Sequence, residues 1–171
     1  MILDAVLQDA PPALTPERLR AANIHPDSKL ATDYLNHFNE VIMLLELVPA
    51  MPDCLDDVLA WQPATYEEHF VRSHYRDKDL VLAAFAAAPV LVRRRFLKLV
   101  AEMDAIMADT LAQLRSHGPS PMAGFIAEEA GDRLKHLAAR TAGLMNAQVD
   151  EDDDLLEPAS AQDAIDALMT R

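Results

Sequence analysis

The stretch PVLVRRRFLKLVAEMDAIMADTLAQLRSHGP, Pro89 to Pro119, decides the fold of this chain. Its apolar residues recur every three or four positions, the spacing of one helix face. Pro89 can begin a helix, and the Gly118-Pro119 pair ends it. The stretch therefore predicts one long helix to His117, with an inward face made of Val92, Phe96, Leu99, Met103, Ile106, Thr110 and Leu114.

The same periodicity on both sides of this helix predicts two more long helices. Downstream, Ser120-Pro121 caps a helix that reaches roughly Gln148. Its expected inward residues are Met122, Ile126, Ala130, Leu137, Leu144 and Met145. Upstream, a helix begins at Asp27 or Ser28 and ends at Val48. Its stripe comprises Leu30, Tyr34, Phe38, Val41, Leu45 and Val48.

Prolines and capping residues divide the remaining sequence into short helices. We expect these over residues 1–10, from the Thr15 cap to about Ala22, and from an Asp53 cap to Trp61. A Thr65–Glu68 capping box opens another to about Arg76, which continues or breaks before residues 79–88. The fold class is an all-α multi-helix bundle with three long and several short helices over residues 1–149. An acidic linker (150–159) and an amphipathic C-terminal peptide (160–171) follow.

Composition argues against a membrane-spanning, secreted or disulfide-linked protein. No run approaches 18 apolar residues, so no membrane span is expected. The N-terminus lacks the basic region of a secretory signal. A single cysteine, Cys54, excludes an internal disulfide. We expect a cytoplasmic protein.

Charge is unevenly distributed along the chain. The net charge of −13 argues against nucleic-acid binding, which depends on neutralising phosphates with cations. Residues 71–98, in contrast, hold seven cationic residues against two aspartates, a net charge of +5. A basic patch of Arg93, Arg94, Arg95 and Lys98 lies at its end. These residues form either a solvated helix face or a surface for an acidic partner or the protein's own tail.

Six of the eight positions from Asp150 to Glu157 are acidic, a density that predicts a solvated, extended tether. Residues after the tether can form a short amphipathic helix capped by Ser160, with Ala161, Ile165, Leu168 and Met169 on one face. The apolar residues would supply affinity for a partner, and Asp163 and Asp166 would supply steering. The alternative is a frayed end that docks on its own domain.

The segment SAQDAIDALM, Ser160 to Met169, resembles the peptide at the N-terminus of flagellar motor switch proteins. It is also similar to the acidic C-terminal peptide of CheZ-type chemotaxis phosphatases. In both families the peptide docks on the phosphorylated receiver protein CheY. The resemblance implies a response-regulator receiver as the partner, in chemotaxis or two-component signalling.

The CheZ-type resemblance also implies a catalytic pair. Those phosphatases carry Asp-x-x-x-Gln on a helix, and Asp109 and Gln113 have this spacing. Gln113 would orient the water that attacks the aspartyl phosphate, and Asp109 would contact the receiver's active-site lysine. Positioning of water suffices because the acyl phosphate is already activated.

Other chemistry is weakly indicated. A metal-binding bundle could draw only on His37, Glu40, His69, His74, Asp132 and His136. None of the six histidines has an acid three residues before it, as a di-iron carboxylate bundle requires. No cofactor and no metal are therefore expected. Tyr34, Asn36 and Asn39 form a polar patch suited to an interhelical hydrogen-bond network.

Three functions stay open on this evidence: a receiver-docking interaction protein, an enzyme, and a helical domain with a solubilising tail. The enzyme would be an aspartyl-phosphate phosphatase or a metal-dependent bundle. The stripes of the longest helices pack either within one chain or across a two-fold axis, so a homodimer also stays open.

Overall fold

The computed structural model describes residues 12–148, and that part of the chain forms an all-α bundle without strands. Two 3₁₀ turns, Thr32–Leu35 and Pro52–Cys54, precede the second and third helices. The α-helices are α1 (Pro16–Ala21), α2 (Asn36–Leu47), α3 (Leu55–Ala60), α4 (Tyr66–Arg72), α5 (Lys78–Ala86), α6 (Val90–His117) and α7 (Pro121–Met145).

Helices α6 and α7 form an antiparallel hairpin that organises the bundle. Gly118 makes the turn with φ 57° and ψ −167°, a backbone conformation that residues with a Cβ rarely adopt. Ser120 then caps α7, its Oγ accepting a hydrogen bond from the Ala123 amide at 3.3 Å. The hairpin core is fully buried and consists of Phe96, Met103, Met107, Leu114 and Leu134.

Helix α2 and the residues just after it pack against α7, and two glycines of α7 lie at this contact. A Cβ built on Gly124 would lie 3.4 Å from the Pro49 Cα, and one on Gly131 would lie 3.8 Å from the Leu45 Cβ. An ion pair between Lys135 and Glu46 spans the edge of this contact. All six residues of the stripe predicted from Leu30 to Val48 are buried.

Tyr34 joins three helices at the centre of an aromatic cluster. Its ring lies 5.4 Å from that of Tyr66 on α4 and 5.5 Å from that of Phe96 on α6. The ring of Phe38 on α2 lies 6.0 Å away in an edge-on arrangement. The Tyr34 hydroxyl donates to the carbonyl oxygen of Ala64 at 2.9 Å, so its one polar group is satisfied.

The predicted start of the first long helix is wrong. Residues 25–30 form a loop in which Lys29 has φ 60° and its amide bonds to the His25 carbonyl at 2.8 Å. The Ser28 hydroxyl donates to the Met145 carbonyl, so Ser28 ties the loop to the end of α7 instead of capping a helix. The α-helix begins only at Asn36 and spans 12 residues, so the third-longest helix among residues 12–148 is shorter than predicted.

Some of the other local predictions are confirmed and others are wrong. Thr15, Thr65 and Ser120 cap as predicted, and Thr65 forms the full capping box. Asp53 does not cap, since it lies within a 3₁₀ turn that has no side-chain cap. Met122 is 51% exposed rather than inward, because the inner face at the start of α7 is formed by Ala123 and Ile126. The helix predicted for residues 1–10 lies outside the described residues.

Candidate functional site

Helix α6 exposes apolar and cationic side chains together at its beginning. The α6 basic face, as we define it, consists of Val90, Leu91, Arg94, Leu97 and Lys98. Val90 is 68% exposed and Leu97 is 49% exposed, although both are large and apolar. Within residues 12–148, neither cation of this face forms an ion pair. Exposed apolar side chains between cations are typical of a protein-binding surface.

The other two members of the predicted basic patch are half-buried. Arg93 donates through Nη1 to the carbonyl of Ala86 at 3.0 Å and so caps the C-terminal end of α5. Arg95 is also half-buried. Of the four, Arg94 and Lys98 are thus the exposed ones.

The Asp109–Gln113 pair is exposed on α6 and joined by a hydrogen bond. Gln113 Nε2 donates to Asp109 Oδ2 at 2.8 Å. Because the amide nitrogen is engaged in this way, Gln113 Oε1 can accept a hydrogen bond from a water. The structure thus places the two predicted residues side by side on the exposed surface of α6.

Asp109 also lines a groove of about 710 Å³ between α6 and α7. The groove has an apolar floor that includes Ile106 and Leu137, and an acidic rim. Its lining residues are Glu102, Ala105, Ile106, Asp109, Asp132, Arg133, His136 and Leu137. Three carboxylates against one arginine make the groove suited to a cationic group, and they oppose a free phosphate.

Two histidines meet beside the aromatic cluster. The His37 ring stacks on Trp61 at 4.8 Å and lies 6.3 Å from the His69 ring. Burial, and secondarily the neighbouring His69, lowers the pKa of His37 to about 4. His69 Nε2 lies 3.6 Å from Asp33 Oδ2, an ion-pair separation too long for a hydrogen bond.

Asp104 belongs to the same region and was missed by the sequence analysis. Burial raises its pKa, and its charge contributes to raising the pKa of Tyr34. Among the described residues, three buried polar atoms lack a hydrogen-bond partner: Asp104 Oδ1, His37 Nε2 and His69 Nε2. Its spacing could have predicted this burial, because Asp104 follows Phe96 by eight residues and so lies at the edge of the buried stripe of α6.

The remaining proposed metal ligands do not converge. Glu40 and His74 are exposed, and Asp132 and His136 lie on the α6–α7 groove, apart from the His37–His69 pair. In the described range no group of three or more His, Cys, Asp or Glu side chains is arranged to hold a metal ion. Asn36 and Asn39 are also exposed, and Asn36 bonds to Asp33 at 3.2 Å, so the predicted interhelical amide network does not form.

A second apolar surface lies at the opposite end of the hairpin. Phe125 is 62% exposed and borders a groove of about 640 Å³. Four prolines line this groove: Pro49, Pro52, Pro119 and Pro121. Met51 and Met122 adjoin those prolines in sequence and are each about half exposed. Both ends of the hairpin therefore present apolar side chains to solvent.

The predicted partner-binding residues Asp163, Ile165, Asp166, Leu168 and Met169 lie outside the described residues, as does the acidic linker. Across residues 12–148, no helix has the length and apolarity needed to cross a membrane.

Comparison with known proteins finds no family model, no curated protein and no solved structure that matches this chain.

Proposed function

We propose that this is a cytoplasmic helical protein that acts by protein–protein contact, with a phosphorylated receiver as its partner. The observation that carries the contact function is the exposure of large apolar side chains at both ends of the α6–α7 hairpin, including Val90 and Phe125. The class of partner rests on the resemblance of Ser160–Met169 to receiver-docking peptides.

The proposal assigns affinity to the apolar side chains of the C-terminal peptide. Ile165, Leu168 and Met169 would fill an apolar groove on the receiver, as amphipathic helices do. A tether holds such a peptide near its own domain at roughly millimolar effective concentration, so a weak contact can support a second one on the bundle.

The first test is calorimetric titration of a Pro158–Arg171 peptide against receiver proteins, with and without beryllofluoride activation. We expect binding that appears on activation. In the intact protein, Ile165→Asp with Leu168→Asp should abolish capture, while the matched double variant Ala164→Asp with Ala167→Asp adds the same charge beside the apolar face and should weaken it less. Capture that survives the first double variant would contradict the proposal.

The Asp109–Gln113 pair supports a second candidate function, dephosphorylation of the receiver. In this mechanism Gln113 Oε1 accepts a hydrogen bond from the attacking water, and Asp109 holds both the amide and a lysine of the receiver. A lysine suits the acidic rim of the groove, which would repel a phosphate presented alone.

The test is the rate of receiver dephosphorylation with the Gln113→Ala variant. We expect binding to persist and acceleration to fall by at least tenfold, which corresponds to about 1.4 kcal/mol of transition-state stabilisation. Gln62→Ala, at an exposed glutamine in the loop after α3, is the control. Equal rates for the wild-type protein and Gln113→Ala would exclude this activity for the pair.

A further inference from the structure

The α6 basic face lies at the end of the bundle where the described chain finishes. Glu102 of α6 lines the same groove as His136 and Leu137 of α7, which fixes the antiparallel register of the two helices. From these residues α6 extends back to Val90 and α7 extends to Met145, both at roughly 1.5 Å per residue. The end of α7 therefore comes level with the first turns of α6, and Gln148 stays there because its amide bonds back to the Gly143 carbonyl at 2.9 Å.

The sequence that continues from Gln148 is complementary to this face. Residues 150–157, which we call the acidic segment, carry six carboxylates and the pair Leu155-Leu156. No lysine or arginine occurs between Asn146 and Thr170. The α6 basic face offers Arg94 and Lys98 together with exposed Val90, Leu91 and Leu97, so both charge and apolar surface match.

We propose that the acidic segment docks on the α6 basic face of its own chain. The α6 residues from Val90 to Lys98 span roughly 12 Å, whereas eight extended residues reach roughly 25 Å, so the segment is long enough to cover the face. Asp150 follows Gln148 by only two residues. Because the acidic segment begins so close to the face, its effective concentration there is higher than that of a separate acidic partner.

Charges elsewhere on the bundle favour this face for the acidic segment. Further along α6, Glu102 and Asp109 line the α6–α7 groove together with Asp132. These three carboxylates repel the acidic segment from that part of the helix. Two other cations of the basic stretch are already engaged: Arg72 lies 3.6 Å from Glu68, and Lys78 Nζ donates to the Val71 carbonyl at 2.8 Å. Docking of residues 150–157 on this face does not depend on whether residues 160–171 bind a receiver.

The experiment places a nitroxide spin label just after the acidic segment in the full chain. An Ala159→Cys variant in a Cys54→Ser background gives one labelling site, since Cys54 is the only cysteine. The readout is paramagnetic broadening of the methyl signals of Val90, Leu91 and Leu97. Leu114, at the far end of α6, is the internal reference.

At about 0.01 M salt, where the Debye length is about 30 Å, we expect strong broadening of the three α6-face signals and none at Leu114. At about 1 M salt, where it is about 3 Å, the broadening should weaken severalfold. Arg94→Glu with Lys98→Glu should remove it. Arg20→Glu with Arg115→Glu makes the same charge change at exposed sites on α1 and at the far end of α6, and should preserve it.

Three results would overturn the proposal. One is uniform or absent broadening at low salt in a chain whose circular dichroism shows an intact bundle. Another is broadening that persists after reversal of Arg94 and Lys98. A mixture of isotope-labelled unmodified chain with unlabelled spin-labelled chain identifies the occupant, because broadening in that mixture assigns the contact to a second copy and rejects docking within one chain.

Discussion

At the scale of single residues, burial controls the charge of His37. His37 is stacked on Trp61 and has no hydrogen-bond partner for Nε2 among the described residues, so its protonated form is poorly solvated. This environment lowers the pKa of His37 to about 4. The neighbouring His69 lowers the pKa of His37 further.

We predict that His37 makes the folded state sensitive to acid. A depressed histidine pKa means that the unfolded chain binds the proton more readily, so this contribution to stability is complete above the unfolded pKa of about 6.5 and is lost as the pH falls towards 4. After discounting for partial solvent exposure, the loss is about 1 kcal/mol. Denaturant unfolding between pH 7 and 4 measures it.

In that comparison, His37→Gln should lose less stability than the wild-type protein as the pH falls. His136→Gln, at an exposed histidine, serves as the matched control and should follow the wild-type curve. The raised pKa of Asp104 acts in the opposite direction, but it is common to all three proteins and cancels in the difference. Parallel curves for His37→Gln and the wild-type protein would contradict the prediction.

At the scale of elements, two glycines of the α6–α7 hairpin differ in whether their position needs a residue without a side chain. Gly118 adopts φ 57° and ψ −167° in the turn, whereas Gly131 lies in the middle of α7 with its nearest neighbour atom, the Leu45 Cβ, at ordinary contact distance from a built Cβ. Only the first position depends on the absence of a side chain.

We therefore expect the two alanine substitutions to differ in sign. Gly118→Ala should lower the free energy of unfolding by about 1–3 kcal/mol, because it strains the backbone of the turn. Gly131→Ala should raise it by about 0.5–1 kcal/mol, through better helix propensity and restriction of the unfolded chain. Urea unfolding of both variants checks this, and equal effects would contradict it.

At the scale of the whole molecule, Tyr34 connects elements that are distant in sequence. Its ring contacts residues of α2, α4 and α6, while the short helices between them bury only a few side chains each. Loss of the ring would leave a cavity shared by three helices. Loss of the hydroxyl alone would remove one hydrogen bond, to the carbonyl of Ala64.

We predict that Tyr34→Ala lowers the free energy of unfolding by about 3–5 kcal/mol, while Tyr34→Phe lowers it by about 1 kcal/mol. Both values come from urea unfolding at pH 7, with an unchanged denaturant slope confirming two-state behaviour. A small effect of Tyr34→Ala would mean that the cluster rearranges to fill the cavity.

By itself the sequence determined the helices with complete local signals. Apolar periodicity bounded by Pro89 and Gly118 gave α6, and three of the predicted caps formed, because hydrogen bonds to nearby amides depend on neighbouring residues alone. The spacing of Asp109 and Gln113 likewise predicted their proximity, since residues four apart on a helix face each other.

Only the tertiary structure decided features that depend on residues distant in sequence. Ser28 has the identity of a cap but bonds to Met145, and Met122 has the identity of a core residue but faces solvent. The His37–His69 pair with Asp104, and the acidic groove around Asp109, arise from packing between helices. Their burial and charge depend on how α2, α4, α6 and α7 meet, which no local pattern in the sequence specifies.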